Sequence, residues 1–124
     1  MTTESTTLSL LRLALDAASM RHLAIADNIA NAGSAGYVPQ QVNFEQQLGF
    51  ARQSLAAGLP LQAGSLDAVQ PYLEPVPGAH LSSTATLDME VARLSQNTLH
   101  YQSLLRALSR HTAILSTAIN EGRR

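Results

Sequence analysis

Across residues 87–119 one side of the chain repeats without a break. Leu87, Val91, Leu94, Thr98, Tyr101, Leu105, Leu108, Thr112, Leu115 and Ile119 follow one another at alternating steps of four and three. That alternation is the 3.5-residue repeat of a helix that packs along its whole length. A helix of 33 residues rises to about 50 Å. A compact globule of 124 residues has a radius of gyration of roughly 14 Å, hence a diameter nearer ~35 Å. The helix overshoots any ball this chain can form, so part of its apolar seam must find cover outside the chain.

Composition agrees with a helical reading. Apolar residues make up 45%, aromatics only 4%, and Ala and Leu carry most of the apolar share, which favours helices over sheets. Charged residues are 14%, below the quarter or so usual for globular domains. All eight basic residues are Arg and the formal net charge is -1, so nothing marks a nucleic-acid binder. The absence of cysteine excludes disulfides, thiol catalysis and zinc–thiolate sites. No apolar run approaches the 18 or so residues of a membrane span. Met1-Thr2-Thr3-Glu4-Ser5 lacks a basic segment and an apolar core, so no cleaved signal peptide is expected.

Ser5, Thr6 and Thr7 offer capping hydroxyls to a first helix predicted over 7–31. Its stripe is Leu8, Leu11, Leu15, Ala18, His22, Ile25 and Ile29, with Leu10, Leu13, Met20 and Leu23 beside it. Asn28 and Asn31 can bond the orphan carbonyls at its end, and Asn and Gly tolerate the left-handed turn that follows. Val38-Pro39 then enforces extended backbone.

All five prolines and six of the seven glycines fall within residues 33–86. A short helix is predicted over 44–57, with Phe44, Leu48, Ala51 and Leu55 on one side and Gly49 weakening it. Residues 58–86 are too rich in Pro and Gly for a long element, with brief extended pieces at 69–72 or 72–76. The second long helix is capped by Thr84 or Thr86, with Asp88 and Glu90 in its first turn where the dipole favours them. The expected fold is all-α. Long N- and C-terminal helices (1–32 plus 86–124) pair as a coiled-coil-like hairpin, with an irregular, outward-facing segment (33–85) inserted between them.

The stripe's flanks are unlike those of a two-stranded coiled coil, which carries Glu and Lys there. One side holds Ser95, Gln102, Ser109 and Ser116; the other holds Glu90, Asn97, Leu104, His111 and Ala118. Small and apolar flanks suit a bundle of many helices. The alternative is an antiparallel hairpin closed within one small domain, against which the unequal helix lengths count.

No chemistry competes with packing. His100 and His111 lie about 16 Å apart along a helix, too far to share an ion. His22 sits in the stripe, and His80 has no partner nearby in sequence. Asp88 and Glu90 point about 200° apart on a helix. None of the usual nucleophile, phosphate-loop or zinc motifs occurs. No catalytic, cofactor-binding or metal-ligating residue is nominated, and neither enzyme activity nor a cofactor is expected.

Asn28-Ile29-Ala30-Asn31-Ala32 followed by Gly36-Tyr37 resembles the N-terminal signature of the bacterial flagellar axial proteins, the rod and hook family. Leu87-Asp88-Met89-Glu90, Ala92-Arg93-Leu94, Asn97-Thr98-Leu99, Tyr101-Gln102 and Ala107-Leu108 resemble its C-terminal stretch, closer to the proximal rod than to the hook. Phe44 fits the same pattern. Ser34-Ala35 before Gly-Tyr and Val38 after it depart from the pattern, and residues 58–83 match nothing in it.

The resemblance implies a structural subunit of the flagellar basal-body rod, the tubular drive shaft between membrane ring and hook. Terminal helices would line the tube, and export would use the flagellar type III gate without a cleaved signal. Implied partners are other rod subunits, the proteins at the junction of membrane ring and export gate, and copies of itself, with no nucleic acid or small-molecule substrate. The assembly residues would be Leu11, Leu15, His22, Ile25, Ile29, Val91, Leu94, Tyr101, Leu105, Leu108, Leu115 and Ile119. Asn28, Asn31, Gly36 and Tyr37 would shape the helix-end turn. The contrasting expectation, from another class, is a soluble helical adaptor or chaperone-like binding module that uses the same stripe on one partner helix.

Overall fold

The computed structural model describes residues 3–58, 69–79 and 83–123. The chain is mostly helical. Helix α1 (Thr3–Ala30) is followed by strand β1 (Gln40–Asn43), helix α2 (Glu45–Ala56), strand β2 (Tyr72–Pro75) and helix α3 (Ser83–Glu121). At 28 and 39 residues, α1 and α3 span about 42 and 58 Å. They lie against each other in opposite directions: Asn97 of α3 donates to the Ala18 carbonyl at 2.8 Å, while Glu90 meets Asn28.

The apolar core sits at one end of this pair. Ala17 and Ala24 of α1, Val42 and Phe44 around β1, and Val69 are buried together, with Leu13, Ala14, Met20 and Leu48 packed on them. Leu13 and Met20, which lie off the sequence stripe, therefore face inward. The helix has a second inward side, turned toward the ribbon and α2, that a single-stripe pattern does not contain.

The sequence suggests the extended piece that becomes β2 but neither β1 nor the pairing of the two. Strands β1 and β2 are antiparallel, pairing Gln40 with Pro75 and Val42 with Leu73. Only Val42 of β1 is buried, so a strand reading Gln-Gln-Val-Asn gives almost no alternation to detect. A two-stranded ribbon is marginal in isolation; here both the core and polar clips hold it. Glu74 accepts from Gln41 at 3.0 Å and from Asn43 at 3.2 Å, and Arg21 reaches Glu45 at 2.7 Å to tie α1 to α2.

Helix α2 forms where the spacing predicts it, with Phe44 buried and Leu48 half-buried; the side chains of Ala51 and Leu55 lie outside the described set. The brief extended piece is 72–75. Helix α3 starts at Ser83, so Thr84 and Thr86 lie within it, and its first turn holds no acidic residue. The placement of Asp88 and Glu90 in the first turn is thereby corrected. Both lie beyond the short reach of the dipole. His80 lies outside the described residues.

Candidate assembly surface and helix-end hub

One asparagine knits the end of α1 to three other parts of the chain. Asn28 is 2% exposed. Its Nδ2 donates to the Gln40 carbonyl at 2.8 Å and to Glu90 Oε2 at 3.1 Å. Its Oδ1 accepts from the Tyr37 hydroxyl and the Gln40 backbone N–H, both at 2.9 Å. An amide offers two donors and two acceptor lone pairs, and all four are used. Asn28 is therefore not a helix cap, which corrects the expectation for this residue.

Asn31 does cap: its Nδ2 and backbone N–H both reach the Asp27 carbonyl, at 2.9 and 3.0 Å. Gly36 then takes φ 76°, a left-handed conformation that a side chain resists. That turn swings Tyr37 back over Asn28 and launches β1. The four motif residues thus form one device, with Asn31 and Gly36 setting the turn and Tyr37 and Asn28 closing it.

Glu90 is the partner that sequence reasoning missed. Also 2% exposed, it accepts from Asn28 on one oxygen and from Arg93 Nη1 at 2.8 Å on the other. A buried carboxylate persists only when paired and hydrogen-bonded in this way. Burial, then the Asp27 and Glu90 charges, raise the Tyr37 pKa above its ordinary 10.0. A raised folded pKa favours the neutral phenol. Its stabilising contribution is fully present below pH 10 and is lost as pH rises through the folded value. Urea titrations from neutral to strongly alkaline pH should show the native chain losing stability more steeply than Tyr37→Phe. At neutral pH that variant should lack about 1 kcal/mol for the missing hydrogen bond.

The face of α3 turned toward α1 is rotated from the sequence stripe. The side chains at least half-covered at heptad spacing are Glu90, Leu94, Asn97, Tyr101, Leu104, Leu108, His111 and Leu115. Leu94, Tyr101, Leu108 and Leu115 belong to both series, but the expected flank of Glu90, Asn97, Leu104 and His111 replaces Val91, Thr98, Leu105 and Thr112. One of two columns moves by one residue, so the face turns by roughly 50°. The polar contacts account for the choice. Asn97 reaches the Ala18 backbone, and Glu90 reaches Asn28.

The displaced column is left in the open. Val91 is 51% exposed, Leu105 42% and Ile119 60%. Thr98 and Thr112 are exposed and turn their hydroxyls onto carbonyls of their own helix. Full burial also stops halfway along: among the described residues none is buried in 5–16 of α1 or 98–121 of α3, where Tyr101, Leu104, Leu108, His111 and Leu115 are only partly covered. Of the α1 candidates, Ile25 is buried and Leu11, Leu15 and Ile29 are half-buried, whereas His22 is exposed rather than in a closed seam.

Among the described residues no three His, Asp or Glu side chains gather into a metal-binding group. No described helix is long and apolar enough to cross a membrane. No protein-family model, curated protein or solved structure matches the chain significantly.

Proposed function

We propose that this chain is a structural subunit of the bacterial flagellar basal-body rod, similar to the proximal-rod protein FlgB, and that it acts by helix packing. In this reading α1 and α3 form a coiled-coil-like axial hairpin (1–32 plus 86–124) in the wall of a tube, with 33–85 facing outward. Copies of the chain, other rod subunits and the junction proteins of membrane ring and export gate would cover what the free chain leaves bare. Export through the flagellar gate and residence in the rod follow from the same reading.

The observation that carries it is the half-covered hairpin. From residue 98 to 123 no side chain is buried, yet Leu99, Leu105, Ile114 and Ile119 keep large apolar surfaces in the open. Apolar area left in water forgoes about 25 cal/mol per Å²; Leu105 and Ile119 repeat on one face of α3, and Leu99 and Ile114 lie on another. The sequence motif adds support, because Asn28, Asn31, Gly36 and Tyr37 act together at one turn.

The test is Leu105→Asp in a swimming strain whose own rod protein is replaced by this chain. The expected result is loss of rod completion and of motility with normal levels of folded protein. Normal swimming would count against the reading. One observation favours the adaptor alternative: Ala18, Ser19, His22, Leu23, Asn97 and Tyr101 line a largely apolar groove of about 420 Å³ between the helices. An adaptor would bind a single partner helix there as a discrete complex, whereas a rod subunit would add to an open polymer.

A further inference from the structure

We propose that the groove formed by Thr7, Leu11, Arg106, Arg110, His111 and Ile114 is a docking site for carboxylates at the Asp27 and Asp88 end of a second copy of this chain. The assignment deepens the assembly reading above, and rests on it, by naming one contact between copies. The groove encloses about 490 Å³ at the open end of the hairpin. Arg106 and Arg110 stand one turn apart on α3 and are exposed. Among the described residues the ion pairs are Arg21–Glu45 and Arg93–Glu90, so neither guanidinium pairs with a described carboxylate. Beside them His111 Nε2 is buried without a hydrogen-bond partner. A neutral imidazole protonated at that nitrogen would donate to a carboxylate brought into the groove.

The helix dipole does not account for these charges. Arg106 lies 15 residues before the last residue of α3, and the dipole acts only over the final turn. The opposite end of the hairpin has the complementary sign. There Asp27 and Asp88 are exposed and enter no ion pair among the described residues, while Glu90 and Glu45 are already paired with Arg93 and Arg21.

Within one molecule the two groups cannot meet. Asp88 and Arg106 are 18 residues apart on one helix, about 27 Å, well beyond the roughly 8 Å screening length of physiological salt. They can meet between molecules. Docking one end onto the other is a heterologous contact that leaves a free groove and a free acidic end, so it can propagate without closing.

The experiment is sedimentation velocity on the full chain and two variants, Arg106→Glu/Arg110→Glu and Asp27→Arg/Asp88→Arg, with circular dichroism to verify that each is folded. The native chain should gain mass steadily with concentration at low salt and revert to monomer at high salt. Each variant should associate about tenfold more weakly, as expected for two exposed ion pairs. An equimolar mixture of the variants should regain association, because each reversed groove then meets a reversed end. The proposal is overturned by a native chain that stays monomeric, by a variant that associates like the native chain, or by a mixture that stays monomeric. A monomeric native chain retained on polyglutamate resin also overturns it, since the groove would then serve an acidic partner other than a copy. None of these outcomes touches the rod reading, which the swimming strain decides separately.

Discussion

Asn28→Ala should destabilise the chain by about 3–4 kcal/mol, a large share of the 5–15 kcal/mol that a domain of this kind has available. The side chain makes four hydrogen bonds in a buried setting. Its removal strands the Gln40 N–H and carbonyl, and it takes one of two partners from the buried Glu90 carboxylate. Unmet buried groups cost more than the bonds contributed, because water cannot reach them without opening the turn. Asn31→Ala is the control. It loses one exposed side-chain bond to the Asp27 carbonyl and should cost no more than about 1 kcal/mol. Urea midpoints of the two variants measure the difference. Equal losses would mean that Asn28 is only a cap.

Leu104→Asp and Leu105→Asp should differ as sharply, although the residues are neighbours. Leu104 is half-covered on the face turned to α1, and Leu105 points away from it. Placing a carboxylate at 104 should cost the free chain about 2–3 kcal/mol, from lost apolar burial and a desolvated charge. At 105 the cost should stay within about 1 kcal/mol, as for most surface changes. On the proposed rod function the order reverses: a folded Leu105→Asp chain should fail to build a rod, which would locate the contact outside the monomer. Denaturation curves of the two purified variants check the first half. Equal destabilisation would place the face of α3 on the original stripe.

The two long helices and α2 were legible in the residue spacing, because apolar side chains recur there at helical period. The rotation of α3 was not legible. Two columns one residue apart, Val91-Thr98-Leu105-Thr112 and Glu90-Asn97-Leu104-His111, have the same period. The first is the more apolar, so hydrophobicity alone selects it. What selects the second is tertiary: the carbonyl of Ala18 and the amide of Asn28, each more than 60 residues away in sequence. A trace of the signal was present in a seven-residue column running through Glu90, Asn97, Leu104 and His111.

Strand β1 left even less to find, since it presents one buried valine among amides. The helix-end motif was recognisable as a turn. That its first asparagine points inward depends on Glu90, whose apparent role near a helix start concealed it. The start of α3 is read late from the sequence because Thr84 and Thr86 are both credible caps, and only the observed backbone distinguishes a cap from an interior residue.

Hydrogen exchange along the backbone of the free chain and of its assembled form addresses the open half of the hairpin most directly. In the free chain, amides of residues 98–121 should exchange far faster than those of 17–28 and 90–97, where the buried contacts lie, and should become protected only on assembly. Uniform slow exchange along the whole of α3 in the isolated monomer would contradict the account.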